Sequence, residues 1–203
     1  MLRHAASRVS LRSRERKLRL FLEVFRPGPE TTVVDVGVTD APFGSGSTDN
    51  FFEALYPWPD RITAVGRTEL DRFAAAFPHV RAVRADGRRL PFADGEFELG
   101  FSNAVVEHVA GGRSGQRQFV AELCRVARRV FVTTPNRWFP LDPHTLLPLV
   151  HWLPPGTARD LVFRARGFDD VLDPLGPKEL ASLFPYSVRI VNRGLTLVAV
   201  GPA

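Results

Sequence analysis

Val33-Val34-Asp35-Val36-Gly37 is a β-branched run that closes on an acid and a glycine. Apolar residues in succession, without polar alternation, predict a strand over Thr32–Val36 that is buried on both faces of a parallel sheet. Further apolar runs predict strands at Ile62–Val65, Val80–Ala85, Phe97–Ser102 and Val130–Thr133. Helical spacing between them predicts helices over Glu69–Phe77 and Gln116–Ala127, the latter with Phe119, Leu123 and Val126 on one face. Phe51, Phe52 and Leu55 fall on another helix, which Ser47 or Thr48 could cap after the Gly44–Ser47 loop. Ser187–Asn192 and Leu195–Val200 flank Arg193-Gly194 and read as a hairpin. Alternating strands and helices imply an α/β fold with helices on both faces of a doubly wound sheet.

Upstream of the first strand, Leu11, Leu18, Leu22 and Phe25 share a face over residues 10–26, with arginines largely elsewhere. This predicts an amphipathic helix that Arg26-Pro27-Gly28-Pro29 stops. We therefore expect residues 1–29 to form a basic helix and linker, and residues 30–203 a single domain. Between Trp138 and Phe184, repeated prolines predict short helices and loops instead of one long helix.

At 203 residues, with 44% hydrophobic and 24% charged side chains, the chain has an ordinary globular composition. Its net charge of +5 comes almost wholly from arginine, as Lys17 and Lys178 are the only lysines. Such a balance permits phosphate, anionic lipid or nucleic acid as a partner without specifying one. One cysteine, Cys124, allows no internal disulfide and no cysteine-based metal cluster, and reads as a packing residue on a helix. No apolar run is long enough to span a bilayer, and the N-terminal charges precede no apolar core, so the expectation is a cytoplasmic protein without a signal peptide.

The ordered landmarks Asp35-Val36-Gly37, Asp86 with Leu90-Pro91-Phe92, and Phe97–Ser102 leading into Asn103-Ala104-Val105-Val106-Glu107-His108 resemble the class I S-adenosylmethionine-dependent methyltransferases, in particular their small type 11-like branch. The resemblance implies a Rossmann-like sheet of about seven strands, mostly parallel and completed by an antiparallel C-terminal strand. It implies S-adenosyl-L-methionine as cofactor, bound at the carboxyl ends of the strands. Asp35 would help position the methionyl portion, while Gly37 and Val38 open the loop where a ligand meets the backbone. Asp86 would accept from the adenine amino group beside Gly87, with Leu90 in the wall beneath the ring. Asn103 and Ala104 would line the methionine portion.

Two positions depart from the family. The glycine-rich loop reads Gly37-Val38-Thr39-Asp40-Ala41-Pro42-Phe43, and Gly66 stands where an acid usually holds both ribose hydroxyls. Glu69 is then the nearest acid for the ribose. His108 and His144 are candidate bases for an acceptor that must lose a proton; Glu107-His108 could equally anchor the following helix. Asn136, Arg137, Asp142 and His144, set among Trp138, Phe139 and Trp152, suit an acceptor pocket. His144 and His151 offer no third ligand, so no metal site is expected.

The reading is methyl transfer to a small molecule or a glycan or lipid precursor. Two other classes compete: a silent methyltransferase-like binding domain, and a nicotinamide-dependent oxidoreductase. The latter would need Gly-x-Gly-x-x-Gly, which Gly37–Asp40 does not supply. Nucleic acid is not expected, because no flipped-base motif or aromatic-interleaved basic stripe is present. The sequence does not specify an oligomeric state.

Overall fold

The computed structural model describes residues 2–44, 49–141, 147–153, 158–165 and 172–203, with side chains from residue 11 onward. Seven strands form one sheet in the order β3-β2-β1-β4-β5-β7-β6. They are β1 (Val33–Val36), β2 (Ile62–Gly66), β3 (Arg81–Arg84), β4 (Phe97–Asn103), β5 (Ala127–Pro135), β6 (Arg189–Asn192) and β7 (Thr196–Gly201). The pairs β1–β2, β1–β4 and β2–β3 are parallel, whereas β7 runs antiparallel to both β5 and β6. The expected sheet and its terminal hairpin are both present. β1 and β2 are buried along their whole length, while the outer strands β3 and β6 are largely exposed and carry Arg81, Arg84 and Arg189. Charge on an edge strand discourages pairing with another chain.

The chain divides into two compact units. The first holds residues 1–101 and 126–128. Its helix α1 (Leu2–Phe25) is longer than apolar spacing alone predicts, because residues 2–9 contain no helix breaker. Arg26 adopts a left-handed φ of 48° ahead of Pro27 and closes it. Helix α2 (Phe51–Leu55) starts after Asn50, and not on a Ser47 or Thr48 cap. The Asn50 amide binds the Thr39 and Ala41 backbone instead, and so shapes the loop after β1. An aromatic core ties these elements together: Phe52 stacks on Phe101 at 4.1 Å, and Phe21 meets both edge-on. Helix α3 (Asp71–Ala76) completes this unit.

The second unit holds residues 102–125 and 129–203. Helix α4 (Gly112–Val126) buries Phe119, Val120 and Leu123 there. Short helices α5 (Ala158–Ala165) and α6 (Pro177–Ala181) lie in the proline-rich region, as expected. Val150, Phe163 and Leu172 form a small core of their own.

Candidate active site

In the first unit, the carboxyl end of β1 presents Asp35 and then Gly37. Gly37 is exposed with φ 117°, a conformation that favours glycine. Asp35 is only 6% exposed and faces Glu53 of α2, itself 3% exposed. Neither oxygen of Glu53 has a hydrogen-bond donor. Two buried carboxyls in contact cannot both ionise cheaply. Burial and then the neighbouring Glu53 push Asp35 well above the usual carboxylate range, and burial raises Glu53 to about 7. Glu53 was not among the residues expected from sequence. The available signal was an acid inside the apolar run Phe51-Phe52-Glu53-Ala54-Leu55.

The loop after β1 folds across the end of β2. Gly37 and Val38 both donate to the Val65 carbonyl, and Asp40 Oδ1 accepts from the Arg72 and Phe73 amides at the start of α3. This packing explains Gly66: a Cβ there would lie 2.8 Å from the Val38 oxygen and 2.8 Å from Leu70 Cδ2. The position usually given to a ribose-binding acid has no room for any side chain. Glu69, the nearest acid, is an exposed partner of Arg84.

Asp86 follows β3 on a tight turn. Its carboxylate accepts from the Arg88 amide at 2.9 Å and from the Arg88 guanidinium at 2.6 Å, and these bonds hold its pKa below the ordinary value. Gly87 lies within that turn, partly exposed. Leu90 and Phe92 point into the core, where Phe92 packs edge-on against Phe97 at 5.0 Å. The first unit therefore gathers Asp35, Gly37 and Val38 at one strand end, and places Asp86 at another with a guanidinium already on it.

In the second unit, Asn103 ends β4 and its side-chain oxygen accepts from Thr133 at 2.8 Å. Ala104 follows with φ 56°, a costly conformation for a residue with a Cβ, held by its amide bond to the Thr133 carbonyl. Glu107 is fully buried and accepts from Thr134 at 3.0 Å. It anchors the short 3₁₀ turn Val106–His108 and leaves His108 partly exposed beside it. His144 and Asp142 lie outside the described residues.

Past β5, Asn136 is a structural junction: its amide nitrogen donates to the Gly194 carbonyl and its oxygen accepts from the Trp138 amide. The Arg137 guanidinium donates to Glu179, which also receives Arg113. Burial would raise Glu179, but the Gly176 amide and these two arginines hold it below its ordinary value. The Arg137 carbonyl accepts from His151 Nε2 at 2.9 Å and from the Trp152 indole at 2.6 Å. His151 is therefore spent on architecture, and among the described residues no cluster of metal-ligating side chains exists. Trp138 and Trp152 meet edge-on at 6.4 Å with 60% and 43% exposure. Leu149 and Leu153, also exposed, stand on the same segment.

Residues 43–130 match a family model described as a methyltransferase domain. No curated protein matches. Among solved structures, the chain is similar to an S-adenosylmethionine dependent methyltransferase from Mesorhizobium loti, at 12% identity and TM-score 0.60, covering 86% of this chain and 92% of that one. It is similar to a 1,6-didemethyltoxoflavin-N1-methyltransferase from Burkholderia thailandensis, at 18% identity and TM-score 0.56 over 97% and 77% of the two chains. It also resembles a geranyl diphosphate C-methyltransferase from Streptomyces coelicolor, at 14% identity and TM-score 0.57 over 92% and 76%. The chain thus shares its fold with S-adenosylmethionine-dependent methyltransferases, and residues 43–130 carry the sequence pattern of a methyltransferase domain.

Proposed function

We propose that the protein is an S-adenosylmethionine-dependent methyltransferase whose acceptor carries an apolar portion, as a small molecule or a glycan or lipid precursor. The observation that carries the cofactor reading is the buried Asp35–Glu53 pair beside the open Gly37 backbone. Negative charge at a strand end, shaped by burial and by Glu53 and not by a cation, suits the cationic donor. When bound, that donor supplies a methyl already activated by positive sulfur. The chain's part is then to hold donor and acceptor aligned and dry.

The acceptor reading rests on the segment after β5. Trp138 and Trp152 offer two exposed aromatic surfaces, and the Arg137 carbonyl fixes Trp152. Rigid aromatic walls with a few polar groups orient apolar ligands. His108, partly exposed after β4, is the described candidate to take a proton from an acceptor hydroxyl or acidic carbon; His144 is the second. The two comparison enzymes with named acceptors are named for 1,6-didemethyltoxoflavin and geranyl diphosphate.

A second reading, a silent binding domain, draws on two features. Gly66 leaves no ribose acid, and Asp86 is engaged by Arg88. Calorimetry with S-adenosylhomocysteine separates the two readings. Saturable binding is expected, and a folded sample that binds neither this compound nor S-adenosylmethionine favours the silent domain.

A further inference from the structure

Glu53 is a buried acid that the methyl-transfer reading does not use. It reaches Asp35 from α2, whose neighbouring side chains Phe51 and Phe52 are buried among Phe21 and Phe101. The charges acting on Asp35 reduce to Glu53. On α1, Arg14 donates to Asp49 at 3.3 Å and lies over the Phe51 ring. Burial and the neighbouring carboxyl dominate the surroundings of each acid, and among the described residues no cation acts on either to balance a second negative charge.

We propose that Asp35 and Glu53 act as a proton-releasing acid pair, in which Glu53 keeps Asp35 neutral until a cationic ligand reaches the end of β1 and displaces their shared proton. Glu53 is thus a positioning residue, working through Asp35 on the donor's cationic portion; this rests on the cofactor reading above. The balance is simple. The proton leaves the carboxyl pair for the buffer, the ligand's own ammonium keeps its protons, and no other bond changes. The arrangement limits the buried pair to one negative charge while the site is empty. The second ionisation happens only when the ligand provides the compensating charge.

Two measurements test this. The first uses the ligand-free protein. The infrared carbonyl band of a protonated carboxyl should be present near neutral pH, and should be lost in Glu53→Gln. Its absence from the wild type overturns the proposal whatever the ligand does. The second is titration with S-adenosylmethionine at pH 6 in buffers of different ionisation enthalpy. Release approaching about one proton per ligand bound is expected. Glu53→Gln places an amide donor against Asp35 and holds it ionised, so it should bind without proton release and with an affinity that no longer varies with pH. Asp35→Asn should weaken binding about tenfold or more at every pH. Binding by the wild type without proton release overturns the acid pair and leaves the cofactor reading intact. No binding, with the infrared band present, overturns the cofactor reading and the pair's role toward it, and leaves the shared proton established.

Discussion

Glu53 also makes stability depend on pH. Its carboxyl titrates near 7 in the folded protein against an ordinary 4.5, so the unfolded chain gives up this proton first as pH rises. The pair's contribution is therefore fully present below about pH 4.5 and is lost as pH climbs through about 7, an effect on the order of a few kcal/mol. Urea denaturation across that window should show stability falling with pH in the wild type and a flatter profile in Glu53→Gln. An identical slope in both proteins would place the titration elsewhere. Gly66 answers to sterics. Gly66→Ala would drive a methyl into the Val38 carbonyl and Leu70, and should cost about 1–3 kcal/mol in the same assay. The acid at position 35 was readable because it ends an apolar strand. Its partner was not, because α2 and β1 are distant in sequence and only folding brings residues 35 and 53 together.

Helix α3 is six residues long and owes its start to a residue far outside it. Asp40 Oδ1 accepts from two of its first amides, one at 2.7 Å. Asp40→Ala should cost about 1 kcal/mol, as for a lost N-cap, and should raise amide exchange at Arg72 and Phe73 together with the loop after β1. Exchange confined to α3 would mean that the loop holds itself. Helix α4 carries Cys124, whose thiol receives the Tyr186 hydroxyl at 3.1 Å and is pushed by burial up to about 11. Alkylation should be slow at pH 8 in the native protein and fast in denaturant. The elements themselves were legible where local pattern and tertiary demand agree, as in β1, β2 and the terminal hairpin. They were misjudged where a neighbour decides. β5 begins at Ala127 and not at Val130, three residues ahead of its first partner on β7, while local sequence there still reads as a helix end.

For the chain taken entire, the clearest expectation is linkage. A ligand that binds only the folded state stabilises it by mass action, about 2.7 kcal/mol at a hundred times its Kd. S-adenosylhomocysteine at saturating concentration should therefore raise Tm, with Gly66→Ala and Asp40→Ala starting lower and still responding. An unchanged Tm in wild type would count against the cofactor reading. The fold could be read from its ordered landmarks since a parallel sheet repeats one local grammar. The functional surface could be read only in part: Asp35 and Gly37 carry their signal in sequence, whereas the pairing of Asp86 with Arg88 and the crowding at Gly66 arise from contacts no motif encodes.

That crowding bears on which nucleosides the protein can tell apart. A carboxylate at the end of β2 would distinguish ribose from its deoxygenated analogues by two hydrogen bonds. Here the Val38 backbone fills that space, and Glu69 is turned toward Arg84. Discrimination at the sugar should be weak, so a 2′-deoxy or 3′-deoxy analogue of S-adenosylhomocysteine should bind nearly as well as the parent. Tolerance of this kind would make the ribose a place to attach an affinity handle or a fluorophore, at a position where enzymes with the acid in place would refuse it.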